Sequence, residues 1–368
     1  MNILGILSFE DNYAHLAGMA ATRPIGAVSF LGRYRILDFM ISNFTNSGIS
    51  EIDIFVKDKP RSIIQHVHRT NYNINSKKGN VQILCGEQDA NNTIYNTDVA
   101  SYLDNAHILE RSNAEYVIIA PSHFIYTINF EEVLKEHINS ESDITALYHH
   151  VENAREEFVG CDFLNIDDGL VKAMDINYGQ YKNRFIALES YILKRELFLR
   201  LCHEAKKNSL LFWFKDIVKL KLNELKVSAY QHYGYCCCIN NIKAYYNASM
   251  YLRDRQTIKQ LFKKDWPIHT MTNDSCPTLY KGSGSAINSL VGNGCVIRGE
   301  IINSIIGRNV IVGENTVIKD SIILPSSTIG NNCHIENSII DRYVEVDKVK
   351  KLNGTKDNPI YVKRGDKI

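Results

Sequence analysis

Between residues 291 and 335 aliphatic side chains recur at a spacing of six, and that period constrains the fold more than any other feature. Ile306, Val312, Ile318 and Leu324 hold one phase; Ile329 and Ile335 continue it after a one-residue slip, and Val291 and Ile297 precede it. Gly292, Gly307, Gly313 and Gly330 each follow an apolar residue. A six-residue repeat of this type builds a β-helix, in which each apolar side chain points inward and stacks on the next coil. A set of ordinary hairpins is the competing reading, and the phase is held too long for it. Stacked coils leave open edges, which favour association with another chain.

Ahead of the repeat the texture is different. "NILGILSF" (2–9), "EIDIFVK" (51–57), "VQILC" (81–85) and "EYVIIAPS" (115–122) read as strands. "RILDFMISNFTNSGIS" (35–50), "RSIIQHVHRT" (61–70) and "DVASYLDNAHILERS" (98–112) read as helices between them, the first stopped by Asn-Ser-Gly. Such alternation predicts a mostly parallel sheet with helices on both faces. Further helices are expected over 195–207, 213–226 and 243–262, and "DWPIHTMTNDSCP" (265–277), with two prolines, reads as a linker. A chain of 368 residues suggests about two domains. The expected division is an α/β domain over 1–264, a linker over 265–280 and a β-helix over 281–368.

Composition narrows the function. With 42 basic and 41 acidic residues, the charge gives no reason to expect nucleic acid or acidic membranes as partners. The start of the chain lacks the basic and long apolar stretches of a signal peptide, and no apolar run reaches the ~20 residues of a membrane span. The expectation is a cytoplasmic protein. Nine cysteines, an odd number without regular spacing, argue against a disulfide framework. Adjacent Cys236, Cys237 and Cys238 on a strand would point to alternate faces, so they are expected to be reduced structural thiols rather than one metal site.

Four segments, in order, carry a family resemblance. "GRYRILDFMISNFTNSGI" (32–49) resembles G-[KR]-[FY]-R-I-[IL]-D-F…S-N…N-S-G-I of the bacterial glucose-1-phosphate adenylyltransferases, and "WFKDIV" (213–218) resembles their F-G-K-D-I-I. "YCCCINNIKAYYNASM" (235–250) follows Y-W-x-D-V-G-T-I-x-S-Y-W-x-A-N-M, and "WPIHT" (266–270) matches W-P-I-x-T. The similarity runs over nearly the whole chain. It implies a nucleotidyltransferase-like, Rossmann-type α/β domain followed by a left-handed β-helix. It also implies the reaction of ATP with glucose 1-phosphate to give ADP-glucose and pyrophosphate, which needs a phosphate cradle, cations and a metal.

At the positions where the resemblance puts that chemistry, this chain departs. The glycine-rich loop G-G-x-G-[ST]-R-L corresponds to "FEDNYAHL" (9–16), which has no glycine and carries Glu10 and Asp11. At 4 Å, like charges repel by about 4 kcal/mol at an effective dielectric near 20. In R-x-K-P-A-[VL]-P-F-G-G the lysine falls on Ile25. The two metal aspartates fall on His123 and Cys238. Mg²⁺ prefers hard oxygen ligands; a His/Cys pair would suit zinc, but no third or fourth ligand is evident. The E-K-P motif has no match between 165 and 187. "LESYI" (188–192) puts Glu189 where a glycine allows close approach, and Phe214 fills the glycine of F-G-K-D. Asp98, Lys215 and Asp216 remain as remnants of the nucleotide and sugar site.

The expected reading is a degenerate paralogue, like the GlgD-type subunit made beside a catalytic GlgC-type subunit. It would act as a regulatory and structural partner in a heterotetramer serving glycogen synthesis, or self-associate. It would need no cofactor of its own, Mg²⁺ belonging to the catalytic partner. The effector candidates for a sugar phosphate are Arg33 and Arg35, with Arg61, His66 and Arg69 as looser ones; arginine's fork of donors suits phosphate. Two alternatives stand beside this reading. One is an active adenylyltransferase using Asp98 and Asp216. The other is a hexapeptide acyltransferase, for which His334 is the only histidine in the repeats and has neighbours unlike an acyl-carrier site.

Overall fold

The computed structural model describes residues 2–8, 16–57, 59–74, 79–86, 97–208 and 213–368. By packing, these divide into two compact units, and the division is not a single cut in sequence. One unit takes its described residues from 1–13, 37–237 and 266–269; the other takes 14–36, 238–265 and 270–368.

The first unit is built on a nine-stranded sheet. Its order is Asn80–Cys85, Glu51–Val56, Ile3–Ser8, Tyr116–Pro121, Arg184–Lys194, Ile144–Val151, Val227–His232, Leu170–Ile176 and Asp162–Asp167. The first four strands are parallel, as the alternation of strands and helices requires. Beyond them the sheet is mixed, because Arg184–Lys194 runs antiparallel to both its neighbours. It curls until Ile186 on that strand also pairs with Phe163 on the last one. Helix Ile36–Asn46 is buried almost all round, with Leu37, Phe39, Met40, Ile41 and Phe44 sealed. Gly5 lets that helix lie close: a Cβ there would meet the Phe44 ring at 3.1 Å. The Trp266–His269 stretch, read above as linker, is tied to the same helix. Trp266 Nε1 donates to Asn43 Oδ1 (3.0 Å) and Asn46 Nδ2 donates to the Pro267 carbonyl (2.9 Å).

Three expected helices are shorter or broken. The span 98–112 is two helices, Asp98–Asp104 and Ala106–Arg111, hinged at Asn105, whose Nδ2 donates to the Ser101 carbonyl. The span 243–262 becomes Ile242–Leu252 and Ile258–Leu261, because the Asp254 carboxylate takes the amides of Gln256 and Thr257 and turns the chain. The span 213–226 is helical only over Phe214–Leu220.

Asp53 marks a cost inside the sheet. It lies opposite Ile6 and Gln82 and is nearly sealed. Burial, reinforced by the charge of Glu51, pushes its carboxyl up to about 7. A raised folded pKa means that its contribution is fully present below the unfolded value and fades as pH rises through about 7. Asp53→Asn is therefore expected to stabilise the protein by on the order of 1–3 kcal/mol at pH 8 and by less at pH 5. Urea unfolding at the two pH values checks this; an equal effect at both would contradict it.

In the second unit the repeat forms three parallel five-stranded sheets, one per side of a left-handed β-helix. The inward residues include Ile306, Val312, Ile318, Ile323, Ile329, Ile335 and Ile340. Thus Ile323, not Leu324, is the inward member at the slip: Ile306 stacks on Ile323 and Ile323 on Ile340, steps of 17 rather than 18. The missing residue falls on one side of each coil: from Asn303 on, left-handed φ recurs along the coils six residues apart, except for the five-residue steps Asn315 to Asp320 and Asn332 to Asn337. At the corner ending that side, Asn303, Asp320 and Asn337, also 17 apart, take φ of 49°, 44° and 45°, which Asn and Asp tolerate best after glycine. Each is followed by a buried serine, and these stack: Ser321 N donates to Ser304 Oγ and Ser338 N to Ser321 Oγ, both at 3.1 Å.

Candidate functional site

In the sheet-bearing unit the positions expected to hold sugar and phosphate converge on Lys215. Helix Phe214–Leu220 presents it. Asp216 caps that helix by accepting from the Trp213 amide (3.1 Å). Asp98 Oδ1 accepts from the amides of Phe214 (2.9 Å) and Val99 (2.7 Å). Burial pushes the Asp98 carboxyl up to about 7 against the pull of those two bonds. Asp98 and Asp216 thus hold backbone together.

Lys215 itself is clamped. Its Nζ lies 2.9 Å from Glu189 Oε1 and 3.0 Å from Asp162 Oδ2, and its side chain is only 11% exposed. Burial alone would lower its pKa, but the carboxylates of Glu189 and Asp162 outweigh this and hold it charged. Asp162 is pushed upward, since burial raises it more than the shared ammonium lowers it. Two carboxylates on one ammonium leave an excess of negative charge where a sugar phosphate would need positive charge. Glu189 has a φ of +49°, a conformation that suits glycine. The pairing of its strand with Ile144–Val151 slips there, between Ala187 and Tyr191. The backbone therefore keeps the shape of a glycine position while the side chain fills the space.

The positions expected for a metal do not fit Mg²⁺. His123 is buried with its ring against Phe124 (4.7 Å), and Cys238 is buried and in no disulfide. Among the described residues no three His, Cys, Asp or Glu side chains come together as a ligand set. Cys236–Cys238 is a strand, as expected, and its cysteines are in no disulfide; burial pushes Cys236 up, and Cys237 to about 12. Glu10 and Asp11 lie outside the described residues.

In the other unit, a cationic cluster that the sequence reading missed gathers around Arg23. Pro24 starts the short turn Ile25–Ala27, with Ile25 half-buried in it, and Arg23 precedes it. Arg23 Nη2 donates to both oxygens of Asp341, at 2.7 and 2.9 Å, and the two side chains are 3% and 1% exposed. Asp341 also accepts from Tyr361 OH (2.8 Å) and the Arg342 amide (2.6 Å). Nε and Nη1 of Arg23, and Nε of Arg342, are buried and find no hydrogen-bond partner among the described residues. The guanidiniums of Arg342 and Arg364 both pack on Tyr343, 5.5 and 5.3 Å from its ring centre, and Arg364 Nη1 donates to Thr22 Oγ1 (3.0 Å). Burial, with the charges of Arg23 and Arg364, lowers the pKa of Arg342. Arg23 and Arg342 thus set two guanidiniums by one carboxylate, with Arg364 stacked beyond them on Tyr343, and such a surplus of guanidinium donors can take an anion.

The expected effector residues are dispersed by comparison. Arg33 is exposed on the turn at Gly32, beside Tyr34, and its charge adds to burial in lowering the pKa of Arg308. Arg35 is half-buried on the strand pair with Ser29. Arg61 and Arg69 are exposed at the two ends of helix Arg61–Val67, in the sheet-bearing unit. His66 is not available to a ligand: it is buried, with Nε2 donating to Asp38 Oδ1 (2.6 Å), which also accepts from Tyr72 OH (2.8 Å). His334 is half-exposed on a coil near Glu336 (3.7 Å).

Comparison with known proteins agrees with this architecture. A nucleotidyl transferase family model matches residues 15–255, and a GlmU-like C-terminal hexapeptide model matches 277–357. The glycogen biosynthesis protein GlgD of Bacillus subtilis is 28% identical over 99% of this chain and 96% of its own length. A glucose-1-phosphate adenylyltransferase of Bacillus cytotoxicus is 26% identical, covering 92% of this chain and 91% of the relative. One from Hydrogenovibrio crunogenus is 29% identical, covering 89% and 83%.

Proposed function

This chain belongs to the nucleotidyl transferase family, and from that premise we propose that it is a regulatory and structural subunit of a glucose-1-phosphate adenylyltransferase in glycogen biosynthesis, not a catalyst itself. The observation that carries the reading is the clamp on Lys215. A sugar phosphate entering that pocket would have to displace two internal carboxylates from the ammonium, and both would then face its phosphate. The unsuitable donors at His123 and Cys238, and Ile25 in place of a lysine, support the same conclusion. Likeness to a protein named for glycogen biosynthesis, alongside adenylyltransferases, supports the process.

The Arg23–Arg342–Arg364 cluster is the effector site in this reading. Its ligand is a small phosphorylated anion, which would satisfy the orphaned guanidinium donors. Bound anion can shift a catalytic partner only if the two conformational states hold it unequally. The partner is a catalytic homologue in a mixed oligomer, and no membrane is involved; among the described residues no helix is long and apolar enough to cross one.

The test is titration. Adding this chain to a fixed amount of a catalytic homologue is expected to change its activity, or its response to fructose 1,6-bisphosphate or phosphate, saturably at a fixed ratio. No change at any ratio would sink the proposal.

A further inference from the structure

The outer face of the strands Asp162–Asp167, Leu170–Ile176 and Arg184–Lys194 carries features that the proposed function does not use. Two cavities, of about 370 and 440 Å³, meet there at Phe163 and Arg184. The first is also lined by His150, Lys172 and Phe185; the second by Asp175, Tyr178, Tyr181 and Lys219. The Arg184 guanidinium lies 3.8 Å from the ring centre of Tyr181 and 4.5 Å from that of Phe163. Among the described residues its one hydrogen bond is a long one to the Asn183 carbonyl (3.4 Å), and no carboxylate there pairs with it. The rings hold the guanidinium in place while its donors stay open.

Aromatic rings continue across the same part of the sheet. Phe185 pairs in register with His150, their ring centres 5.4 Å apart, and lies 5.3 Å from Tyr148. The hydroxyls of Tyr148 and Tyr233 both donate to Gln231 Oε1. At the cavity mouth Tyr178 and Tyr181 are 70% and 57% exposed. Exposed rings that offer an apolar face and a hydroxyl edge, interspersed with planar polar groups, fit a ligand that is itself apolar on its ring faces and polar on its rim.

Charge decides what kind of ligand. The cavities carry Lys172, Arg184 and Lys219 against Asp167 and Asp175, and Lys219 is already within 3.3 Å of Asp175. Three cations against two carboxylates is close to balance, quite unlike the cluster at Arg23, so this surface has no special attraction for a polyanion. We infer that it binds a neutral chain of pyranose sugars. The C–H faces of successive rings stack on Tyr181, Phe185 and Tyr178, while adjacent hydroxyls take the open donors of Arg184. This inference goes beyond the regulatory reading and does not depend on it.

Maltoheptaose titrated into the full chain by calorimetry, with migration in native gels cast with soluble amylose, tests it. Saturable binding and retarded migration are expected. Tyr181→Ala and Arg184→Gln should each weaken binding by about tenfold or more, with unchanged unfolding midpoints, and millimolar inorganic phosphate should not compete. No binding by the wild-type chain would overturn the inference. So would displacement by phosphate, which would make this an anion site. A variant that alters the molecular mass in solution but leaves glucan affinity intact would also overturn it, since the face would then join copies of the chain.

Discussion

Arg23→Ala is expected to destabilise the protein by roughly 3–5 kcal/mol, the range seen when one partner of a buried ion pair is removed. The geometry explains the size. Asp341 is 1% exposed and takes two bonds from Arg23 Nη2. Without the guanidinium, the hydrogen bonds left to its charge among the described residues are those from the Tyr361 hydroxyl and the Arg342 amide. Chemical denaturation measures the loss. The same variant should also lose the protection that phosphate gives the wild-type chain, which at a hundredfold excess over Kd is about 2.7 kcal/mol. Because Arg23→Ala confounds folding with binding, Arg342→Ala is the companion. It leaves the Arg23–Asp341 pair intact, so it should change basal stability far less while still removing most of the phosphate protection. Full protection of Arg342→Ala would remove the cluster from the effector role.

The second large effect is a gain. Glu189→Gly should suit the left-handed backbone at that position, since glycine adopts a φ of +49° without strain. It also removes one of the two carboxylates holding Lys215. The ammonium, paired then only with Asp162, becomes available to a sugar phosphate. Glucose 1-phosphate is expected to show no saturable binding to this pocket in the wild-type chain and binding with Kd on the order of 1 mM in Glu189→Gly. Pairing the variant with Arg342→Ala removes any contribution from the arginine cluster. Glu189→Gln, which removes the charge but keeps the bulk, should gain less. If glucose 1-phosphate binds wild type and Glu189→Gly equally, the clamp does not control the pocket.

How far the sequence alone reaches can be seen in these same residues. The six-residue period names the β-helix outright, because its inward positions must be apolar whatever else the coil does. It misplaces one of them: Leu324 is buried, but Ile323 stacks on Ile306 and Ile340. The corner that absorbs the slip is marked by Asn or Asp before Ser at 303, 320 and 337, a signal that a search for aliphatic residues passes over. Glu189 is legible as a glycine position from the family motif, and its backbone has a φ of +49°, which suits glycine. Its partner Asp162 was not legible, since strand pairing and helix placement, not motif spacing, bring it to Lys215. Arg23 stands two residues before Ile25, the position where a lysine was sought, yet its partner Asp341 is 318 residues away. No local pattern predicts that pairing; it follows only once the coils fix the corner after Ser338–Ile340. The broken helices at Asn105 and Asp254 failed for the opposite reason. Side-chain bonds to nearby backbone overrode an apolar spacing that was otherwise helical.

If Glu189 and Asp162 stand on Lys215 where anionic reactants would sit, the isolated chain should not turn over. Pyrophosphate release by the isolated chain, supplied with ATP, glucose 1-phosphate and Mg²⁺ at saturating concentrations, tests this most directly. The expected rate is indistinguishable from the enzyme-free control. Sustained release that scales with the amount of chain, and falls on replacing Lys215, would contradict it.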